Sequence, residues 1–310
     1  MGRSSMPAEA LHEAQVVAAH GRHLFILDAH GMRHAARVFG RGTQVVCGDR
    51  VTCRRDEQHD IWHVLESLPR RSTIYRSDAQ GRPELVAANI DLLVVVTAAV
   101  PEPDWFVIDR YLAAAASAPA RALLVHNKSD LPCDERMEAE LAHYQHSGYP
   151  LLRCSTRTGA GLEALRTELS RHASLLVGQS GVGKSSLLQA LIPDSQARIG
   201  ELMRDRDGRH TTTATSLHGL PGGGELLDSP GVRDFAPAPE RLSPPSLGFI
   251  EIDSLQQPCR FSDCRHLEEP GCAVRAAVET GQLTARRYES YRRLRRLYDD
   301  HLRRVRNGPR

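Results

Sequence analysis

The chain has 310 residues, with 40 Lys+Arg against 38 Asp+Glu, 7 Cys, 41% hydrophobic and 5% aromatic residues. That length suits about two domains with a smaller module attached, and the composition is that of a globular protein able to bury a core. The longest apolar run, residues 92–100 interrupted by Thr97, falls far short of a membrane span, Met1 to Ala19 lack a signal-peptide core, and an odd cysteine count argues against a secreted disulfide framework. A soluble, cytoplasmic protein is expected. Only two of the 40 basic residues are lysine, Lys128 and Lys184. In a chain this biased toward arginine, both are candidates for chemistry that a guanidinium cannot do.

Taken in chain order, residues 1–20 are expected to form a flexible N-terminus. Within 21–70, short strands at 23–27, 35–39, 45–51 and 61–65 alternate with turn signals at 29–31, 40–42 and 56–60. Strands at that spacing predict a small all-β barrel or sandwich, and an OB-like barrel is the expected type. The texture changes in 72–236. The nearly unbroken apolar run Ile90 to Val96 reads as a parallel strand buried on both faces. Helix at 105–116, strand at 122–126, helix at 135–146, strand at 150–154, helix at 162–170, strand at 175–177 and helix at 185–191 follow, predicting an α/β domain with a mostly parallel sheet. Strands at 216–220 and 225–227 around Gly222-Gly223-Gly224 are expected to form its antiparallel edge. Four prolines between 237 and 245 mark a linker into a mainly helical module over 237–310.

Gly178-Gln179-Ser180-Gly181-Val182-Gly183-Lys184-Ser185 matches the phosphate-loop pattern G-x-x-x-x-G-K-[ST] between a predicted strand and a predicted helix that begins at Ser185-Ser186. Glycines let backbone N–H groups turn inward onto phosphate, Lys184 reaches the β- and γ-phosphates, and the Ser185 hydroxyl ligates Mg²⁺. Asn127-Lys128-Ser129-Asp130 resembles the guanine-reading N-K-x-D of GTPases, in which a carboxylate such as Asp130 can accept from guanine N1 and N2, the Lys128 stem packs along the base and Asn127 braces the loop. Asp228-Ser-Pro-Gly231 has the form D-x-x-G, with Asp228 on Mg²⁺ through water and Gly231 N–H at the γ-phosphate. Gly208-Arg-His210-Thr211-Thr212-Thr213 resembles a switch segment whose threonine completes the Mg²⁺ shell, and three adjacent threonines leave the ligand unassigned. Cys154-Ser155-Thr156 resembles the last guanine-contacting loop.

The order of these parts is informative. A conventional GTPase runs phosphate loop, first switch, D-x-x-G, N-K-x-D and last guanine loop. Here the two guanine loops come first, which is a circular permutation. The chain therefore leaves the GTPase unit directly after the second switch.

Cys259-x4-Cys264-x-His266-x5-Cys272 supplies three thiolates and an imidazole, a set suited to one tetrahedral structural Zn²⁺ with no open catalytic position. Cys47, Cys53, Cys133 and Cys154 read as small buried apolar residues. Residues 286–310 carry ten arginines with Tyr288, Tyr291 and Tyr298 interleaved. This pattern suits phosphate pairing and base stacking on RNA, or equally a helix face packed on the protein.

Together the permuted order, the phosphate loop from Gly178 to Ser186, the 208–213 segment, Asp228 to Gly231 and the cysteine–histidine spacing resemble the bacterial ribosome small-subunit-dependent GTPase A (RsgA/YjeQ) family over nearly the whole chain. The resemblance implies an N-terminal OB-fold, a central permuted GTPase and a C-terminal zinc domain. It further implies a late assembly factor that binds the small ribosomal subunit and its rRNA, is released by subunit-stimulated GTP hydrolysis, and is a monomer off the ribosome with no membrane partner. Val232 stands where many GTPases place a water-orienting glutamine, and the family resemblance transfers that task to the switch histidine, here His210. The stretch ahead of the barrel is shorter than in longer members, so RNA contacts from such an extension are not expected. The cofactors implied are GTP/GDP, Mg²⁺ and one Zn²⁺. The competing readings are a nucleotide-gated RNA-binding scaffold with little turnover, and a phosphate-loop ATPase or kinase, which the N-K-S-D segment disfavours.

Overall fold

The computed structural model of the chain describes residues 10–20, 23–40, 44–78, 80, 82–192, 215–228, 237–244 and 246–307. His210, Thr211, Thr212, Thr213, Gly231 and Val232 lie outside the described residues. Five strands build the N-terminal unit: β1 (His12–His20), β2 (His23–Leu27), β3 (Arg33–Val38), β4 (Arg50–Asp56) and β5 (Ile61–Ser67). They close on themselves in the order β1-β2-β3-β5-β4-β1, with only the β3–β5 pair parallel. This is the five-stranded closed barrel of the OB type. Alternate residues fill it: Val16, Leu24, Ile26, Ala36, Val51, Cys53, Trp62 and Val64 are all buried in one cluster.

Two expectations need correction here. Residues 12–20, expected as part of a flexible N-terminus, form β1, the strand that closes the barrel. Its alternation is broken by a bulge between Val16 and Ala18, which sends Val16 into the barrel core and Val17 into the central core. That interruption, together with polar His12, Glu13 and Gln15, hides the strand from a period-two reading. Residues 45–51, expected as a strand, are a turn up to Asp49, and β4 starts only at Arg50. The buried Asp49 carboxylate accepts from Val46 N at 2.8 Å and from the Arg70 guanidinium at 2.7 and 2.8 Å, which holds the turn, while Gly48 N donates to Val16 O and Asp49 O accepts from Val16 N, each at 2.8 Å, at the β1 bulge.

A hairpin of β6 (Thr73–Ser77) and β7 (Pro83–Ala88), unforeseen from sequence, links the barrel to the α/β unit. The latter contains β8 (Leu92–Thr97), α1 (Trp105–Ser117), β9 (Arg121–His126), α2 (Glu135–His146), β10 (Leu151–Arg153), α3 (Leu162–Leu169), β11 (Ala173–Val177), α4 (Lys184–Leu191), β12 (Thr215–Gly219) and β13 (Glu225–Asp228). Their sheet runs β10-β9-β8-β11-β13-β12, parallel except for β12. Every residue of β8 is buried, as a central strand covered by helices on both faces requires. Helix starts carry their caps: Asp104 accepts from Phe106 N and Val107 N ahead of α1, and Asp134 accepts from Met137 N ahead of α2.

β12 is the antiparallel outer strand of this unit, as expected, whereas β13 runs parallel to β11. β12 also pairs antiparallel with β1 of the barrel, Ala18 opposite Ser216 and Ala19 opposite Thr215, so that one sheet of eleven strands runs through both units. Gln15 Nε2 donates to Glu225 Oε2 at 3.0 Å beside this junction. The C-terminal module follows a 3-10 turn at Pro239–Arg241 and comprises α5 (Ile250–Asp253), α6 (Ala273–Glu279) and the long α7 (Ala285–Asn307). Its core of Leu247, Phe249, Val274, Leu283, Tyr291 and Leu294 also takes in Ala113 of α1. Among the described residues no helix is long and apolar enough to cross a membrane.

Candidate nucleotide site and metal centre

In a parallel sheet, ligands bind outside the carboxyl ends of the strands. The loops after β8, β9, β10 and β11 all emerge at that end, and side chains tie them together. Asn127 Nδ2 donates to Val182 O at 2.9 Å, joining the loop after β9 to the one after β11. Lys128 Nζ donates to Gly181 O at 2.6 Å and to Val100 O at 2.9 Å, adding the loop after β8. Ser129 N donates to Cys154 O at 3.0 Å, and the Cys154 thiol lies 3.6 Å from Asn127 Oδ1, which brings in the loop after β10. Both lysines that the sequence singles out therefore stand in this crevice, and the Lys128–Gly181 bond joins positions 53 residues apart.

The 178–185 loop has the backbone its glycines permit. Gly178 has φ 143°, and a Cβ there would collide with the Val96 carbonyl; Gly183 has φ 96°, and a Cβ there would strike Asn127 Nδ2. Gly183 caps α4, whose first residue is Lys184. Lys184 is 6% exposed, and its Nζ donates to Gly178 O at 2.6 Å and Gln179 O at 2.8 Å, so the ammonium lies across the mouth of the loop. Gln179 Oε1 accepts from Asp104 N at 2.9 Å, fastening the loop to the start of α1. Ser180, Gly181, Ser185 and Ser186 are exposed at the crevice, Val182 is buried beneath it, and Asp228 is buried at the end of β13. This is a glycine-capped helix N-terminus beside a buried cation, an arrangement that suits phosphate.

At the other end of the crevice, Asp130 accepts from Ser155 Oγ and, through Oδ2, from Arg157 Nε at 2.7 Å. The Ser155 hydrogen bond first, and the Arg157 guanidinium after it, hold the Asp130 carboxyl below the usual carboxylate range. An ionised carboxylate is an acceptor on both oxygens, as reading two adjacent N–H groups requires. Thr156, the next residue along, is half-buried in the same loop. The contacts of Val100 and Arg157 were not foreseen, since neither residue belongs to a motif.

Cys259, Cys264, His266 and Cys272 offer ligand atoms that all lie within 4.8 Å of one another, and no cysteine of the seven forms a disulfide. His266 Nδ1 is 3.4 Å from Cys259 Sγ and 3.6 Å from Cys272 Sγ, and the latter two sulfurs are 4.0 Å apart. Tetrahedral Zn²⁺ with Zn–S near ~2.3 Å sets ligand–ligand edges of about 3.8 Å, so the donor set fits that ion. The loop is braced from α7: Tyr288 Oη donates to His266 O at 2.8 Å and Tyr291 Oη to Arg265 O at 2.9 Å. Glu269 gathers the N–H groups of Arg265, Leu267 and Glu268; burial alone would raise its carboxyl, but these donors bring it to about 2.

Those tyrosine contacts change the reading of the C-terminal arginines and tyrosines. Tyr291 is fully buried and Tyr288 half-buried against the metal loop, so neither is a base-stacking platform. Arg286 and Arg287 reach back to α1, where Arg286 Nη1 and Arg287 Nη1 hold the two oxygens of the fully buried Asp109 at 2.7 and 2.6 Å. Glu140 and Glu251 complete the network at 2.6 and 2.5 Å, and the Arg293 guanidinium stacks on Phe106 at 3.9 Å. Arg296, Arg303, Arg304 and Arg306 are exposed. The helix is thus interdomain glue in its first half and a basic surface in its second.

A barrel, a phosphate-loop unit with its guanine loops ahead of its phosphate loop, and a Cys₃His module on one chain define a circularly permuted GTPase. The family model for RsgA GTPases matches residues 67–237. The chain is 47% identical over 254 residues to a small ribosomal subunit biogenesis GTPase RsgA of Azotobacter vinelandii, covering 81% of this chain and 74% of that one. It is 44% identical over 252 residues to the protein of the same name from Pseudomonas fluorescens, covering 80% and 73%. Among solved structures, YjeQ from Thermotoga maritima superimposes with a TM-score of 0.73 at 27% identity, covering 97% of this chain and all of that one. YloQ, described as a circularly permuted GTPase, gives 0.69 at 25% identity with both chains fully covered. The chain belongs to the RsgA GTPase family, and it is a GTP hydrolase.

Proposed function

We propose that this GTPase acts in the cytoplasm in late maturation of the small ribosomal subunit, binding the subunit and its rRNA as a monomer and leaving when subunit-stimulated hydrolysis turns GTP into GDP and phosphate. The observation that carries the reading is the single crevice in which Asn127 and Lys128, of the loop that also carries Asp130, are bonded to the glycine-rich loop ending in Lys184. Within it, Asp130 reads guanine N1 and N2, Lys128 lies along the base, Asn127 and Ser129 fix the loop, and Ser155 and Thr156 close the pocket. The N–H groups of residues 178–186 hold the phosphates. Lys184 neutralises charge on the γ-phosphate as water attacks it and the bond to the β-phosphate oxygen breaks. Mg²⁺ would be held by Ser185, by Asp228 through water and by one of Thr211, Thr212 and Thr213, and it would supply further charge neutralisation. Gly231 N–H contacts the γ-phosphate, and His210 orients the attacking water.

Cys259, Cys264, His266 and Cys272 hold one Zn²⁺ as a structural staple for a module whose core is small. The exposed arginines of the second half of α7 present cations to rRNA phosphates. Names of relatives at 47% and 44% identity, aligned over 81% and 80% of this chain, point to the small subunit. Steady-state phosphate release by the purified protein, alone and with isolated small or large subunits, tests this. Strong stimulation by small subunits only, lost in Lys184→Ala, is the expected result. Slow turnover under all three conditions would replace the enzyme cycle with a nucleotide-gated binder.

A further inference from the structure

Asp130 reaches solvent through only 10% of its side-chain surface, and both of its oxygens receive donors from the loop after β10. Ser155 Oγ donates to Oδ1. That hydroxyl itself accepts from Arg157 N and Thr158 N, each at 3.2 Å, so its proton is directed to the carboxylate. Arg157 Nε donates to Oδ2 at 2.7 Å. Rotating the carboxylate about Cβ–Cγ would break both bonds together. A carboxylate oxygen has two acceptor positions, so each retains one after these bonds form. Guanine presents two adjacent donors, N1–H and the N2 amino group, and needs one acceptor on each oxygen in a common plane. Hypoxanthine lacks the amino group and needs only one.

Building on the guanine-reading role of Asp130 proposed above, we propose that Arg157 is a positioning residue that determines base specificity. By holding Oδ2 it locks the Asp130 carboxylate in the orientation that accepts N1–H and N2–H at once, and so it sets how strongly the site prefers guanine to hypoxanthine. A preorganised acceptor pair rewards the second hydrogen bond, whereas a freely turning carboxylate satisfies one donor nearly as well as two. The Arg157 side chain is 73% exposed, so its hold on Asp130 is screened by salt. Arginine suits this role because Nε and the planar fork fix direction as well as charge; an ammonium supplies charge alone.

The test is the ratio of GDP to IDP affinity, in which phosphate and Mg²⁺ contacts cancel, measured by equilibrium titration at low and high salt for the wild type, Arg157→Ala, Arg157→Lys and Asp130→Asn. Arg157→Ala is expected to lower the ratio about three- to tenfold at low salt and to flatten its salt dependence, with Arg157→Lys recovering part of the loss. A ratio in Arg157→Ala equal to that of the wild type, beside a collapsed ratio in Asp130→Asn, overturns the role of Arg157 alone. A higher ratio in Arg157→Ala also overturns it, because the arginine would then be competing with the base. A wild-type ratio in Asp130→Asn removes the guanine-reading role itself and this inference with it.

Discussion

Single side chains in this protein do separable work, and the two lysines illustrate it. Lys184 is buried with its ammonium bonded to the carbonyls of the loop it closes, and in the proposed mechanism it acts on the transition state more than on folding. Lys184→Ala should lower the GTP hydrolysis rate about a hundredfold or more while the melting temperature stays close to that of the wild type. Asp109 is the opposite case. Its carboxylate is fully buried; burial would raise its pKa, but the Arg287 and Arg286 charges outweigh that and hold it below the ordinary value. Asp109→Ala leaves two guanidinium groups without their shared partner and should cost about 3–5 kcal/mol in urea unfolding. The same pairing fixes a pH dependence. A carboxyl depressed in the folded state stabilises fully above its unfolded value of ~3.9, progressively less as pH falls toward the folded value, and not at all beneath it. Unfolding midpoints of the wild type and Asp109→Asn should therefore converge only below about pH 4.

Among the elements, α7 carries the most divided role. Arg286, Arg287 and Arg293 bind it to α1, Tyr288 and Tyr291 bind it to the metal loop, and Arg303, Arg304 and Arg306 are exposed near its end. Replacing those last three by alanine should leave the unfolding free energy within about 0.5 kcal/mol of the wild type, yet weaken small-subunit binding and reduce its salt dependence. Removing the metal acts on the other half. A chelator strong enough to take Zn²⁺ should lower the melting temperature and expose Tyr291 to solvent, which near-ultraviolet circular dichroism would register as lost tyrosine asymmetry. Retention of the full signal without metal would assign the brace to the tyrosines alone. Sequence reading could not separate these halves, because arginines that meet a buried aspartate from another helix look the same in the chain as arginines that meet water. The helices of the α/β unit were legible nearly to the residue, since caps such as Asp134 and strong apolar periodicity agree there.

For the molecule as a whole, what could be read in advance followed from how local its signals are. The phosphate loop, the N-K-S-D loop and the cysteine–histidine set are contiguous motifs whose residue types are dictated by the ligand, and the structure brings the two loops together. The barrel was legible as a class and not in its closure, because β1 depends on a bulge that places Val16 and Val17 in different cores. The role of Arg157 was invisible, since its partner Asp130 is 27 residues away in a different loop.

The pairing of β1 with β12 has a consequence for how this protein can be taken apart. The strand that seals the barrel is also hydrogen-bonded to the outermost strand of the nucleotide-binding unit. Cutting at residue 21, where a flexible leader was expected to end, would open the barrel between β2 and β4 and at the same time bare β12. That creates three unpaired strand edges from one deletion, and such edges seek partners in other chains. A protein starting at residue 21 should elute from a sizing column as aggregate, whereas one starting at residue 10 should elute and bind nucleotide as the full chain does. The barrel is therefore not a detachable accessory: β1 is a shared wall, and neither room stands without it.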